Sequence, residues 1–198
     1  MRLPGPERRR QLIDTAVEVF AQNGFHATSM NDIAEAAGVT KPVLYQHFAS
    51  KRDLYLQLLG EVGTELRETI AKATGNASGP REQIEGGIRA YFEFVEQRGD
   101  AFRVLFGSGT RRDEEFALEA HKVEASIAEM VAALIDVGGL SLESRLLLGN
   151  GIVGLAEGAS RYWQSNPDGI EMGAAVLAQH VSRLAWAGLR GVGQPPRS

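Results

Sequence analysis

The sequence predicts an all-α fold of about nine helices. Apolar residues recur at spacings of three and four along most of the chain. No window alternates with the period of two that a half-buried strand requires. Caps and glycine stops punctuate the periodic runs. The first helix carries Leu12, Ile13, Ala16, Val17 and Phe20 on one stripe and stops at Gly24. Ser29 with Asp32 three residues on reads as a capping box, opening a short helix that turns Ile33, Ala34 and Ala37 inward. Gly38 breaks that helix. Thr40 caps the third, with Pro42 just inside its start, where a missing N–H costs nothing. Leu54, Leu58, Val62, Leu66 and Ile70 mark a long fourth helix, and Thr74 to Pro80 reads as a loop. A fifth helix spans Glu82 to Gln97 with Tyr91, Phe92, Phe94 and Val95 on its apolar face. Arg98-Gly99-Asp100 restarts a short segment ending near Gly107. Thr110 and Asp113 read as a second capping box, opening a helix that runs to Gly138-Gly139. Ser141 starts the next, which ends near Asn166-Pro167, and a last helix runs to about Arg190.

The 198 residues contain no cysteine, which removes disulfides, thiol nucleophiles and thiolate metal sites. With 43% hydrophobic and 23% charged residues the chain has an ordinary globular composition. Its apolar runs are far shorter than the roughly 20 residues that cross a bilayer. The basic start, Met1 to Arg10, has no apolar stretch behind it, so it does not read as a secretory signal. The expected location is cytoplasmic, with no membrane partner. The net charge of −4 argues at first against nucleic acid, but it hides an asymmetry. Residues 1–52 hold seven Lys/Arg against five acids, a net +2, which leaves −6 for the rest. A polyanion responds to the local field of the surface it meets, so the first fifty residues are the plausible face.

Two short helices joined by a glycine turn within about 25 residues outline a helix-turn-helix. Ile33, Val39, Leu44 and Phe48 can form its small core, which frees Thr40, Lys41, Val43, Tyr45, Gln46 and His47 to face outward. Thr28-Ser29-Met30-Asn31-Asp32-Ile33-Ala34, then Ala37-Gly38-Val39-Thr40-Lys41-Pro42-Val43-Leu44-Tyr45-Gln46-His47-Phe48, then Ser50-Lys51 resembles the N-terminal domain of the TetR-family regulators over residues 8–60. The resemblance implies that Thr28, Tyr45 and Lys51 grip phosphates. It also implies that Thr40, Lys41, Pro42, Val43 and His47 present the base-reading face. It further implies a C-terminal domain with a helical ligand pocket and a two-helix dimer seam. The expected division is a DNA-binding domain at 1–52, an effector and dimerisation domain at 53–190, and an unstructured tail at 191–198. Shorter islands, among them Arg103-Val104-Leu105-Phe106 and Ala159-Ser160-Arg161-Tyr162-Trp163, resemble an actinobacterial subgroup of the family. That subgroup includes the regulator of the fatty-acid synthase operon and implies a long-chain acyl-CoA effector.

Within the C-terminal part, Tyr91, Phe94, Phe102 and Phe106 are core by default and also candidates to line a ligand cavity. Gly151, Gly154 and Gly158 share one helical face. Each glycine costs a helix roughly 1 kcal/mol relative to alanine, so three together need a packing or functional reason. A tunnel between the aromatic wall and the glycine face would take a hydrophobic small molecule, with Arg103 or Arg161 for an anionic head and Tyr162 closing one end. Leu177, Val181, Leu184 and Gly188 recur at four, three and four residues, a stripe expected to pair with Leu146, Ile152 and Leu155 in a twofold homodimer. The run Gly149-Asn150-Gly151-Ile152-Val153-Gly154 satisfies G-x-G-x-x-G, but no strand precedes it, so it is not a dinucleotide site. No cofactor or metal is expected; His121 and Glu124 share a helix face that could hold a metal, but a solvated pair on an acidic helix is the expected reading. No Ser-His-Asp spacing or carboxylate pair supports catalysis. A double-stranded DNA operator, a second copy of the chain and a hydrophobic effector are the expected partners of a ligand-gated regulator, whereas a helical enzyme or adaptor would not retain a palindromic duplex.

Overall fold

The computed structural model describes residues 5–135, 139–166 and 171–192, and these residues are helical throughout apart from short connections. In chain order the helices are α1 (Gly5–Ala27), α2 (Met30–Ala36), α3 (Lys41–His47), α4 (Lys51–Gly75), α5 (Pro80–Gln97), α6 (Gly99–Phe106), α7 (Ser108–Arg112), α8 (Glu114–Leu134), α9 (Leu142–Ser165) and α10 (Ala174–Val192). The predicted run through the last helix thus continues to Val192. Gly138, Pro167 and most of the expected tail lie outside the described residues.

The chain forms two compact units. The first comprises residues up to Thr64 together with Arg98–His121; the second comprises Glu65–Gln97 and the residues from Lys122 onward. The first unit is therefore larger than a bare helix-turn-helix. Its core joins Leu12, Ala16 and Phe20 of α1 to Ile33, Leu44, Phe48, Leu54 and Leu58, with Phe102, Leu105 and Phe116 buried in the same unit. In the second unit α10 packs along α5, burying Ile84, Ile88, Phe92 and Val95 of α5 and Leu177, Ala178, Val181 and Ala185 of α10.

One expected cap is replaced. Thr110 does not open the helix after it, because it is itself buried inside α7 at 1% exposure. Its hydroxyl donates to the Val104 carbonyl and shares a 2.8 Å hydrogen bond with the Tyr55 hydroxyl. Asp113 caps α8 alone, its carboxylate accepting from the N–H groups of Glu115 and Phe116 at 3.2 and 3.3 Å.

Candidate nucleic-acid interface

Gly24 carries φ of +76°, a backbone state that glycine adopts without strain, and it ends the regular part of α1 where the sequence placed the stop. The chain then folds Phe25 against Phe20, Tyr55 and Phe116, with ring centroids 6.0, 5.0 and 4.8 Å away. Ser29 and Asp32 form the reciprocal capping box, with N–H to side-chain distances of 3.2 and 2.8 Å. The backbone N–H of Ser29 holds the Asp32 carboxyl below its ordinary range, with the Ser29 hydroxyl adding to the effect. Gly38, at φ +64°, makes the turn, and Thr40 caps α3 through its backbone without using its hydroxyl. Leu44 and Phe48 are fully buried, so the four-residue spacing that puts them inside fixes the rest of the helix outside. Thr40, Lys41, Pro42, Tyr45 and Gln46 are exposed, while Val43 and His47 are half-buried at the rim. Tyr45 is 46% exposed and carries the Lys41 ammonium 6.0 Å from its ring centre. This is a surface with a hydroxyl, a cation and a phenol on the helix that has least to do in the core.

Thr28 and Lys51 sit differently. Thr28 is buried at 2% exposure, and its hydroxyl donates to the Gly24 carbonyl at 2.8 Å. The Lys51 ammonium donates to the carbonyls of Phe25 and Thr28 at 2.7 and 2.6 Å and lies 4.5 Å from the Phe25 ring. Both residues thus satisfy the carbonyl end of α1, where a helix leaves acceptors without partners. They lock the turn that leads into α2.

Two further features hold this domain together and were not read from the sequence. At the start of α4 the Ser50 hydroxyl accepts from the Asp53 N–H (3.0 Å), while the Asp53 carboxylate accepts from the Ala49 N–H one residue earlier (2.8 Å), and the same serine-to-aspartate spacing used for Ser29 would have found this cap. Arg52 forks onto Asp113 (2.8 and 3.0 Å) and Glu115 and stacks 4.6 Å over Phe116, a long-range clasp that no local pattern announces. Hydrogen bonds from Arg52 hold the Asp113 carboxyl below its ordinary range. Of the basic triplet at residues 8–10, Arg9 turns back onto Glu61 and Gln57 of α4.

The expected effector residues divide between the two units. Phe102 and Phe106 pack ring to ring at 5.0 Å in the first, with Arg103 exposed and paired to Asp100. Tyr91 and Phe94 are buried in the second. There Tyr91 meets Phe92 edge-on at 5.6 Å and its hydroxyl lies by Ser160, with Glu157 and Arg161 close enough to act on it. Burial pushes the Tyr91 phenol far up from its ordinary value. Glu157, only 8% exposed, holds Arg161 at 2.7 Å. The structure therefore places Tyr91 in a buried polar cluster with Glu157 and Ser160, which the sequence reading passed over, and Glu157 links that cluster to the exposed Arg161.

The glycine face does not wall that core. Gly151, Gly154 and Gly158 have open space where a side chain would stand, and they line the outer side of α9 between Leu147 (73% exposed) and Tyr162 (66%). Tyr162 therefore closes nothing inside. The close-approach glycine is Gly149, buried, where a Cβ would run into the Ala128 carbonyl of α8. The α10 stripe also divides. Leu177 and Val181 are 8% exposed and covered within the chain, whereas Leu184 is 62% exposed and Gly188 stands clear. Leu146, Ile152 and Leu155 are half-buried.

An exposed α3 bearing Lys41 and Tyr45 on a capped three-helix support has the form of a helix-turn-helix. Comparison with known proteins agrees. The family model for bacterial regulatory proteins of the tetR family matches residues 12–58, and a tetracyclin repressor-like C-terminal domain matches residues 80–188. The transcriptional activator FasR of Mycolicibacterium smegmatis is 33% identical over 189 residues, covering 95% of this chain and 85% of that protein. A TetR-like regulator from Rhodococcus superposes with a TM-score of 0.77 at 29% identity, covering 96% of this chain and all of that one. The regulator FadR of Bacillus subtilis, solved with stearoyl-CoA, shares the fold at a TM-score of 0.77 and 21% identity, covering 90% and 98% of the two chains. The chain belongs to the TetR family of transcriptional regulators. Among its described residues no helix is long and apolar enough to cross a membrane.

Proposed function

We propose that this protein is a ligand-gated regulator that grips a palindromic DNA operator as a homodimer and releases or tightens that grip when a hydrophobic effector binds the second unit. The observation that carries the reading is the inside–outside division of α3. Leu44 and Phe48 anchor it, leaving Lys41, Pro42 and Tyr45 bare beside Thr40. A helix of this kind lies in the major groove with its first residues at base edges, while phosphate contacts set its register. Tyr45 and Thr40 supply hydroxyls for phosphate, Lys41 with Val43 and His47 addresses bases, and Thr28 and Lys51 act by holding the turn.

The outer faces of α9 and α10 supply the proposed dimer seam. Leu147, Tyr162 and Leu184 are large and bare, and the glycines between them allow close helix approach. For the effector, a long acyl chain carried on coenzyme A is the reading favoured by the likeness to FasR and to the stearoyl-CoA complex of FadR. The buried Tyr91, Glu157 and Ser160, with the exposed Arg161 held by Glu157 at their edge, would supply its polar anchor. Because α4 runs unbroken from Lys51 to Gly75 it belongs to both units, and it is the path by which a filled pocket would act on the DNA domain. An effector shifts this equilibrium only by its differential affinity for the two states, so a change in DNA affinity of roughly 5–150-fold is expected.

The test is recovery of bound fragments from genomic DNA, followed by fluorescence anisotropy on the recovered duplex with and without palmitoyl-CoA. Retention of a palindromic site, altered by the acyl-CoA, supports the reading. Failure to prefer any duplex over random DNA would refute it.

A further inference from the structure

Helices α5 and α10 lie antiparallel. Glu96 at the end of α5 accepts the Ala174 N–H that opens α10 (3.1 Å), and at the other end Pro80 and Ile84 share a recess with Trp186 and Arg190. Along one flank of this seam runs a groove of about 530 Å³, lined by Arg81, Glu85 and Arg89 of α5 and by Gln179, Ser182 and Arg183 of α10, with two alanines of α10 beneath. That size falls in the range of small-molecule sites. Arg81 is occupied by Glu85 at 2.8 Å. The guanidinium groups of Arg89 and Arg183 have no carboxylate partner and no hydrogen bond among the described residues. The antiparallel register places Arg89 level with Val181, so the two free guanidinium groups reach the groove from neighbouring heights on opposite walls.

Two like charges facing one cleft repel, and a protein with net charge −4 has carboxylates enough to neutralise them. Here they are left bare over a floor of small side chains, with the Gln179 amide alongside and the buried Ser182 hydroxyl donating to the Gln179 carbonyl at 3.3 Å. Planar guanidinium forks match phosphate oxygens in pairs, and two forks suit a dianion better than a single carboxylate. We propose that this groove is an anion site for a phosphate ester. Its occupant is either a free nucleotide or the nucleotide portion of a coenzyme A thioester; both offer the same chemistry. Tyr91 and Arg161 do not line it, so a free-nucleotide site would stand apart from the hydrophobic pocket, whereas a coenzyme A head-group site rests on the acyl-CoA reading above. At 100° per residue, Leu184 and Gly188 leave α10 on the other flank, and a dimer formed there would keep the groove open.

Calorimetric titration of the full chain with ADP, with coenzyme A and with adenosine tests the proposal. Expected is saturable binding of ADP or coenzyme A, none of adenosine, and a loss of roughly tenfold or more in the Arg89→Gln/Arg183→Gln double variant. Both side chains are exposed, so the variant should melt like the parent; should it not, Arg89→Lys/Arg183→Lys keeps the charge and should lose part of the affinity through loss of the forks. Equal binding of ADP and coenzyme A identifies a free-nucleotide site, and binding of coenzyme A alone identifies a head-group site. Absence of binding by both phosphates at millimolar concentration, equal binding of adenosine, or affinity unchanged in both double variants overturns the proposal.

Discussion

Lys41 and Lys51 carry the same charge in the same small domain, yet their surroundings give them opposite work. Lys41 projects from α3 toward solvent, while Lys51 spends its ammonium on the carbonyls of Phe25 and Thr28. Lys41→Ala should leave the urea midpoint unchanged and mainly narrow the gap between operator and random DNA in anisotropy titrations. Lys51→Met should instead lower unfolding stability by about 1 kcal/mol, because the acceptors it leaves are only partly buried, and weaken all duplexes together. Equal melts for the two variants would contradict this division. Asp113 adds a pH dependence. Its carboxyl is held below the ordinary range by Arg52, so its contribution is complete above the unfolded aspartate value and fades as pH falls below about 4 toward the folded value. Asp113→Asn should lower the melting temperature at neutral pH, and the difference from wild type should shrink through the acid limb. A difference that stays constant down to pH 2 would disprove the linkage.

At the scale of the element, α9 shows how position decides what a glycine does. Gly149 sits where a Cβ would strike the Ala128 carbonyl, whereas nothing lies within 4 Å of a Cβ at Gly154. Gly149→Ala should therefore cost about 1–3 kcal/mol through overpacking, despite alanine's better helix propensity. Gly154→Ala should stabilise the isolated chain by up to roughly 1 kcal/mol. Chemical denaturation of both variants at low protein concentration checks the opposite signs. A bulkier Gly154→Leu would then test the outer face, since it should leave the monomer folded and weaken self-association.

For the whole molecule, the two stripe residues on α10 separate folding from assembly. Val181 is buried within the chain, so Val181→Asp strands a carboxylate in the α10 core and should cost about 3 kcal/mol or more of stability. Leu184 is bare, so Leu184→Asp should leave the melt of the monomer intact and shift sedimentation from dimer to monomer at micromolar concentration. Wild-type protein that sediments as a monomer there, or a Leu184→Asp variant that remains dimeric, would exclude this seam.

What the sequence determined by itself is local. The Ser29–Asp32 box, the stop at Gly24, the proline opening α3 and the burial of Leu44 and Phe48 depend on neighbours a few residues away, so propensity and period were enough to read them, and with them the exposed face of α3. Direction was not readable. A stripe such as Leu177, Val181, Leu184 and Gly188 states that a face exists but not how far along it another helix reaches, and only the packing of α5 decided that its first half is covered and its second half bare. In the same way, three glycines on one face say that backbone can come close, but not whether a wall or solvent stands opposite. The clasp from Arg52 to Asp113, the turning-in of Lys51 and the Tyr91–Ser160 cluster each join residues far apart in the chain. Such pairs are selected by the tertiary arrangement of helices, which acts on distances that no spacing along the sequence encodes.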